Sequence, residues 1–253
     1  MGAVACQFIV QFMQSPTRLH DLLIGLAVAA ALLAAVFAAT PVDLLELRRA
    51  GGISTPTAPI EIPRDYYAVA FIILLFLYEG AEASLGGWLA MYSRELSTVE
   101  RHQAGVIAPS FFWAGMMVGR FLGTAILKKL SSKLVVEASA AGALFSGILL
   151  LLSPSLIPLF AEAFVAGLGC ALIYPVLVAR AIERYGVVAR TVMGPMLAIS
   201  GFGPALMPWL VGVIASHFGN LKAGLCVVLA VLIALMGGIR FVYGDSGLKP
   251  SAE

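Results

Sequence analysis

The chain has 253 residues, of which 60% are hydrophobic and 12% are charged, and its mean hydropathy is +0.97. A soluble domain is about half apolar and about a quarter charged, and a soluble globule of this length has too little interior to hide so much apolar surface. Intrinsic disorder needs the opposite composition. The net charge of +2 is too small to indicate a nucleic-acid partner. The composition therefore predicts a protein that is solvated in part by lipid.

Seven segments are long and apolar enough to cross a bilayer as helices, which takes about 20 residues. In chain order they are Leu22–Ala39, Tyr66–Tyr92, Gln103–Leu127, Leu134–Ser153, Ile157–Ala179, Thr191–Ser216 and Leu221–Ile239. The shorter apolar stretch Ala3–Met13 is interpreted as the end of a helix whose beginning is absent. We predict an all-α, polytopic membrane helix bundle with seven transmembrane helices.

The longest linker, residues 41–65, contains three prolines, a Gly-Gly pair and several charges, which is typical of an exposed tether. It separates residues 1–40 from a six-helix domain at 66–243, and residues 244–253 form a tail. Eleven Lys and Arg residues lie on the linker's side of the predicted spans and four on the opposite side, with Arg120 inside the membrane. Because cytoplasmic loops are enriched in Lys and Arg, we expect a cytoplasmic linker and C-terminus. The expected location is the plasma (inner) membrane.

Small and helix-breaking residues are concentrated in three of the spans. Gly115, Gly119 and Gly123 recur every four positions, which predicts a close helix-packing face. The fifth span contains Tyr174-Pro175, where we expect a kink. The sixth span carries Gly194, Pro195, Gly201, Gly203, Pro204, Pro208 and Gly212. It should bend or flex, as interrupted helices of transporters do.

Sequence patterns of metalloproteases, phosphate-binding loops and α/β-hydrolases do not occur in the chain. The three cysteines lie in apolar stretches without metal-ligand spacing. We therefore expect no enzyme activity, no cofactor and no metal site.

The second span contains the most informative polar residues, Glu79 and Glu82, within Tyr78-Glu-Gly-Ala-Glu-Ala-Ser-Leu-Gly-Gly-Trp88. Glu82 would lie about 15 Å from either surface, where an unpaired carboxylate is costly. Residues three apart share a helix face, so the two carboxyl groups should be close enough to share a proton. Such a pair suits proton-coupled transport. The alternative is that one glutamate only hydrogen-bonds a neighbouring helix.

Three further residues are candidates for a substrate or proton pathway. Arg120 would lie about 10 Å deep, where it either snorkels to the interface or pairs with Glu79. Trp113 would share a helix face with it. Trp88 could stack on a sugar ring or belong to the interfacial aromatic belt. Tyr174, beside the expected kink, completes the set.

Four motifs resemble the seventh, eighth, tenth and eleventh helices of major facilitator superfamily transporters of the fucose-permease type. They are Tyr-x-Gly-x-Glu-x-Ser-x-Gly-x-Trp at 78–88, Phe111-Phe-Trp-Ala-Gly-Met-Met-Val-Gly-Arg120, Gly169-Cys-Ala-Leu-Ile-Tyr-Pro175 and Gly203-Pro-Ala-Leu-Met-Pro-Trp-Leu-Val-Gly212. The resemblance covers residues 22–243, which would then be helices six to twelve. It implies that helices one to four, which form much of the opposite cavity wall, are missing or are supplied by a partner chain. The loop Lys128–Lys133 departs from the family, because it lacks the acidic residue and the glycine of the usual gating motif.

The resemblance implies transport of a sugar or similar polar solute by alternating access, driven by protons. Its partners would be the solute, protons and the lipid bilayer. Glu79, Glu82, Trp88, Arg120 and Tyr174 are the residues expected on the pathway. Two alternatives stay open, namely a truncated half-transporter without activity of its own and an exporter of a drug or metabolite.

Overall fold

The computed structural model describes residues 66–97 and 101–244, together with residues 24, 28, 31, 32 and 35. Its contacts divide the chain into two compact units, residues 2–60 and residues 61–253 with Met1. In the first unit, the five described residues are helical and exposed. The remainder of the predicted span 22–39, the stretch 3–13, the linker 41–65 and nearly all of the tail lie outside the described residues.

The described part of the second unit is all helical. Its α-helices, in chain order, are α1 Tyr66–Leu96, α2 Arg101–Leu127, α3 Ser132–Leu152, α4 Leu156–Cys170, α5 Ile173–Tyr185, α6 Ala189–Ser200, α7 Gly203–Phe218 and α8 Leu221–Gly244. A 3-10 turn at Gly186–Val188 joins α5 to α6. Among the described residues, six segments are long and apolar enough to cross a membrane, since α4–α5 and α6–α7 each make one broken span. Six of the seven predicted spans are therefore confirmed as helices.

The break between α4 and α5 lies at Ala171–Leu172, shortly before Pro175. A proline inside a helix lacks the backbone donor and its ring collides with the carbonyl group four residues earlier, which here is that of Ala171. The neighbouring carbonyl of Cys170 accepts a 2.8 Å hydrogen bond from the buried Tyr78 hydroxyl. The expected kink is confirmed, and a side chain of α1 compensates part of the interrupted backbone bonding.

The break between α6 and α7 lies at Gly201–Phe202 and has the same cause. Pro204 follows Ser200 by four positions, so Ser200 ends α6. Gly203 then packs directly on α1, where an added Cβ atom would overlap the carbonyl oxygen of Phe76. Glycine is required at this position because the two helix backbones approach too closely for a side chain.

The helix α1 lies at the centre of the described bundle and packs against α2 and α4 to α8. Its buried residues include Phe71, Leu75 and Tyr78. The predicted glycine face of α2 packs on the α4–α5 segment. An added Cβ at Gly115 would overlap the backbone of Phe164, and the two later glycines meet Ala171 and Leu172. This contact confirms the packing role and holds α2 and the break of α4–α5 against each other.

Candidate functional site

A cavity of about 340 Å³ opens beside the middle of α1. It is bounded by helices α1, α2, α5 and α7, and two of its walls lie next to the breaks in α4–α5 and α6–α7. Its lining residues are Glu79, Glu82, Ala83, Trp113, Arg120, Tyr174 and Pro204. The volume is within the range of small-molecule sites in proteins. The structure therefore brings four of the five predicted pathway residues to one cavity.

Glu79 is half-buried and bonds across to the sixth span. Its Oε1 atom accepts a 3.0 Å hydrogen bond from the hydroxyl of Ser200, the last residue of α6. Ser200 reaches Glu79 because Gly203 allows α7 to approach α1 at Phe76 and Gly80. The bond attaches one carboxyl group of the cavity to a helix end rather than to another charged side chain.

Glu82 lies one turn further along the same face of α1. It lines the cavity with Glu79 and Arg120, and the Tyr78 hydroxyl, one turn before it, donates its hydrogen bond to the carbonyl of Cys170. Arg120 comes from α2 and is exposed at the cavity. In the described part of the chain, its guanidinium group forms no ion pair within 4.0 Å with either glutamate. The direct Arg120–Glu79 pair that the sequence left open is therefore not formed in this structure, in which Glu79 bonds Ser200.

Two aromatic side chains give the cavity flat apolar walls. Trp113 is half-buried and lies over α1 at Gly86, where an added Cβ would come within 2.9 Å of the indole ring. Tyr174 lies 6.2 Å from Tyr78 between ring centroids. Rings with carboxyl and guanidinium groups around them can stack on one face of a polar ligand while hydrogen-bonding its edges. Within the described residues, no three His, Cys, Asp or Glu side chains lie together as a metal site would require.

Trp88 is the predicted residue that the structure places elsewhere. It lines a second, larger cleft of about 950 Å³ near the C-terminal end of α1, with Met91, Arg94, Glu95 and Pro208. Its indole nitrogen donates a 3.1 Å hydrogen bond to the carbonyl of Pro208. The bond and the nearby Gly212 hold the ring between α1 and α7.

Ala83, Trp113 and Pro204 line the cavity and the buried Ser200 bonds Glu79, but none of these four residues was among the predicted pathway residues. Ser200 and Pro204 flank the break in the sixth span, and Trp113 lies seven residues before Arg120. From the sequence, the glycines and prolines at 201–208 indicated a break in the helix, but not which neighbouring helix the break would face. The shared helix face of Trp113 and Arg120 was the signal that could have added Trp113.

Comparison with known proteins points to one kind of protein. No family model matches the chain. A putative glucose/galactose transporter of Helicobacter pylori strain J99 is 26% identical over 157 residues, which cover 62% of this chain and 38% of that protein. The glucose/galactose transporter of Brucella abortus is 27% identical over 173 residues, 64% of this chain and 40% of that protein. The glucose/mannose transporter GlcP of Bacillus subtilis is 27% identical over 147 residues, 56% and 35% respectively.

The chain resembles sugar transporters. This confirms the resemblance that the four motifs suggested. The chain spans about two fifths of the length of these curated relatives. The six membrane-length helices among the described residues and the similarity to proteins named as transporters support an integral membrane protein.

Proposed function

We propose that this chain provides the six-helix C-terminal half of a secondary transporter that moves a sugar or similar small polar solute. The cavity between α1, α2, α5 and α7 carries the proposal, because two carboxyl groups, a guanidinium group and two aromatic rings converge there inside an apolar bundle. Polar side chains at this depth are costly and mark pathways for ions and substrates. The named activities of the similar proteins supply the solute class.

In this proposal the cavity residues have separate roles in binding the solute and the proton. Trp113 and Tyr174 stack on the solute, and Arg120 hydrogen-bonds its hydroxyl groups. Glu79 and Glu82 take up and release the coupling proton. Trp88 offers a ring face in the neighbouring cleft, along the approach to the cavity.

Alternating access would use the two broken spans. The breaks at 171–172 and 201–202 border the cavity, so that small rotations of the half-helices would open it to one side or the other. The opposite wall would come from N-terminal helices or from a partner chain. We place the protein in the plasma (inner) membrane with its C-terminus in the cytoplasm, from the excess of Lys and Arg on that side.

Uptake by reconstituted liposomes tests the proposal. The chain is incorporated with an inside-alkaline pH gradient, and accumulation of radiolabelled glucose is compared with and without a protonophore. We expect gradient-driven accumulation that Glu82→Gln abolishes while facilitated exchange of the sugar continues. Glu137→Gln is the matched control, because Glu137 is a half-buried glutamate on α3, which does not line the cavity. Unchanged coupling in Glu82→Gln would refute the assignment of the proton to this residue.

A binding measurement separates the remaining candidates. Glucose in the cavity should change the fluorescence of Trp113, and Trp113→Phe should remove that change. Binding without uptake would identify a half-transporter that needs its other half, as its share of the relatives' length suggests. Export of a different solute against its own concentration gradient, without any requirement for glucose, would favour the exporter alternative. If the chain neither bound nor transported any sugar, the proposed function would be overturned.

A further inference from the structure

The hydroxyl group of Ser200 lies between two acceptors. Its Oγ atom is 3.0 Å from Oε1 of Glu79 and 3.1 Å from the carbonyl oxygen of Leu197. Ser200 itself is fully buried, whereas Glu79 is half-buried at the cavity. A serine hydroxyl carries one hydrogen, so it can donate to only one of the two acceptors at a time with good geometry.

The charge of Glu79 decides which acceptor receives this hydrogen. An ionised carboxylate only accepts, and it is the stronger acceptor, so the hydroxyl then donates to Glu79. A protonated carboxyl group can itself donate to Oγ of Ser200. The serine hydroxyl is then free to donate to the carbonyl of Leu197, and both bonds are made at once. Protonation of Glu79 thus reverses a two-bond chain that ends on the backbone of α6.

That backbone position lies at the break of the sixth span. The carbonyl of Leu197 also accepts the N–H of Gly201 at 3.0 Å, and the next residue, Phe202, donates to the carbonyl of Ile199 at 3.2 Å just before α7 begins. Serine hydroxyls that bond back to a carbonyl of the preceding turn bend helices. On the far side of the break, Gly203 is held against Phe76. A change in the hydrogen bonding of the Leu197 carbonyl therefore acts on residues 198–202, the short segment that joins Leu197 to Gly203.

Other charged and titratable side chains also lie around Glu79. Glu82 lies on the same helix, Arg120 comes from α2 and Tyr174 from α5, and all three line the same cavity. From α4, Cys170 lies beneath Tyr78, and α7 contributes the uncharged Pro204. Among these described neighbours, Ser200 is the residue that bonds both Glu79 and the backbone at a helix break.

We propose that Ser200 is a positioning residue that transmits the protonation state of Glu79 to the α6–α7 break. The inference rests on the proposed proton coupling, and it names the residue through which a proton on α1 would act on the sixth span. In the ionised state the hydroxyl stabilises the carboxylate. In the protonated state it bonds Leu197 and changes the bend before Gly201.

Infrared titration of the chain in lipid tests the first half of the proposal. The carboxylic-acid carbonyl band that Glu79→Gln removes is followed against pH in the wild type, Ser200→Ala and Ser200→Thr. Ser200→Ala removes a charge-assisted hydrogen bond from the ionised state and a weaker neutral one from the protonated state, and this difference should displace the titration of the band by about one pH unit. Ser200→Thr keeps the hydroxyl and should restore the wild-type titration.

Ser146→Ala is the matched control. Ser146 is equally buried, and its hydroxyl also lies near two acceptors, but both are backbone carbonyls of α3, those of Gly142 and Ala143. This variant removes a buried serine hydroxyl without touching a carboxyl group. It should leave the Glu79 band unchanged.

Hydrogen exchange at the backbone amides of residues 199–205 tests the second half. After correction for intrinsic rates, we expect the protection of this segment to differ between the protonated and ionised states of Glu79. The difference should disappear in Ser200→Ala and in Glu79→Gln, and it should persist in Ser146→Ala. A loss of protection that is the same at every pH would show a purely structural role for Ser200 and would overturn the proposal.

Neither measurement needs a transported solute, so the two proposals can fail separately. A Glu79 band that titrates identically in the wild type and Ser200→Ala overturns the role of Ser200, even in a chain that transports glucose. A chain that shows the displaced band and the pH-dependent exchange, but neither binds nor transports sugar, retains this inference and loses the proposed function.

Discussion

Removing one buried hydroxyl group from α1 should measurably weaken the bundle. Tyr78 is 1% exposed, and its hydroxyl donates to the carbonyl of Cys170 at 2.8 Å. That carbonyl belongs to the last turn of α4, where backbone acceptors have no partner inside the helix. Tyr78→Phe leaves the acceptor unsatisfied in an apolar interior, which costs about 1–3 kcal/mol in soluble proteins. Side-chain bonds between membrane helices average about 0.6 kcal/mol and reach about 1.7. We expect a loss of about 1–1.5 kcal/mol, because this bond is short and ends on an interrupted backbone.

Two other tyrosines of α1 calibrate the expectation. Tyr92 is equally buried and donates to the carbonyl of Leu151 at the end of α3, but at 3.2 Å. Tyr92→Phe should therefore cost less, about 0.5 kcal/mol. Tyr66 is 60% exposed, and Tyr66→Phe should be close to neutral. The three changes remove the same atom from two buried residues whose hydrogen bonds differ in length and from one exposed residue.

The assay is reversible unfolding in mixed micelles with increasing sodium dodecyl sulfate, followed by the helical circular dichroism signal. The free energies of unfolding should fall in the order wild type and Tyr66→Phe, then Tyr92→Phe, then Tyr78→Phe. If Tyr78→Phe were as stable as Tyr66→Phe, the hydroxyl would not be compensating the break between α4 and α5. The physical account of that break would then be wrong.

Five further substitutions, in three tests, probe other contacts of the fold and the site. Gly167→Val should destabilise the bundle by about 1–3 kcal/mol in the same unfolding assay, because a side chain there would overlap the carbonyl of Phe112. Gly194→Ala meets open space inside a helix and should be neutral or slightly stabilising, and equal effects of the two changes would contradict the packing argument. The Arg184 guanidinium lies 3.6 Å from the centre of the Tyr67 ring. Arg184→Ala should therefore lower the free energy of unfolding by about 1–2 kcal/mol, and Arg184→Lys should lower it less. Equal losses in the two variants would exclude a cation–π contribution. Arg120→Gln should weaken glucose binding, measured by tryptophan fluorescence, about tenfold or more, and unaltered affinity would remove Arg120 from the site.

Much of the architecture was predictable because lipid allows few solutions for a polar backbone. A helix satisfies its own hydrogen bonds, so apolar runs of the right length must be helices, and six predicted spans have that structure in the described residues. Internal prolines act through steric effects within their own helix, and glycines spaced by four line one face of a helix whichever helix packs on that face. For that reason the packing face at Gly115 and the kinks near Pro175 and Pro204 could be predicted before any fold was known.

Which residues line the cavity depends on distances between helices, and local sequence patterns do not contain these distances. The sequence alone indicated that Glu79 and Glu82 share a face, since the helical repeat requires it. Only the tertiary structure decided that Ser200, 121 positions away, bonds Glu79, because that contact depends on Gly203 packing on Phe76. The same packing of α1 on α7 directs Trp88 to a separate cleft through its bond to Pro208. Helical period and apolar length determine which residues lie together on one helix, whereas the close approach of helix backbones determines which residues meet across helices.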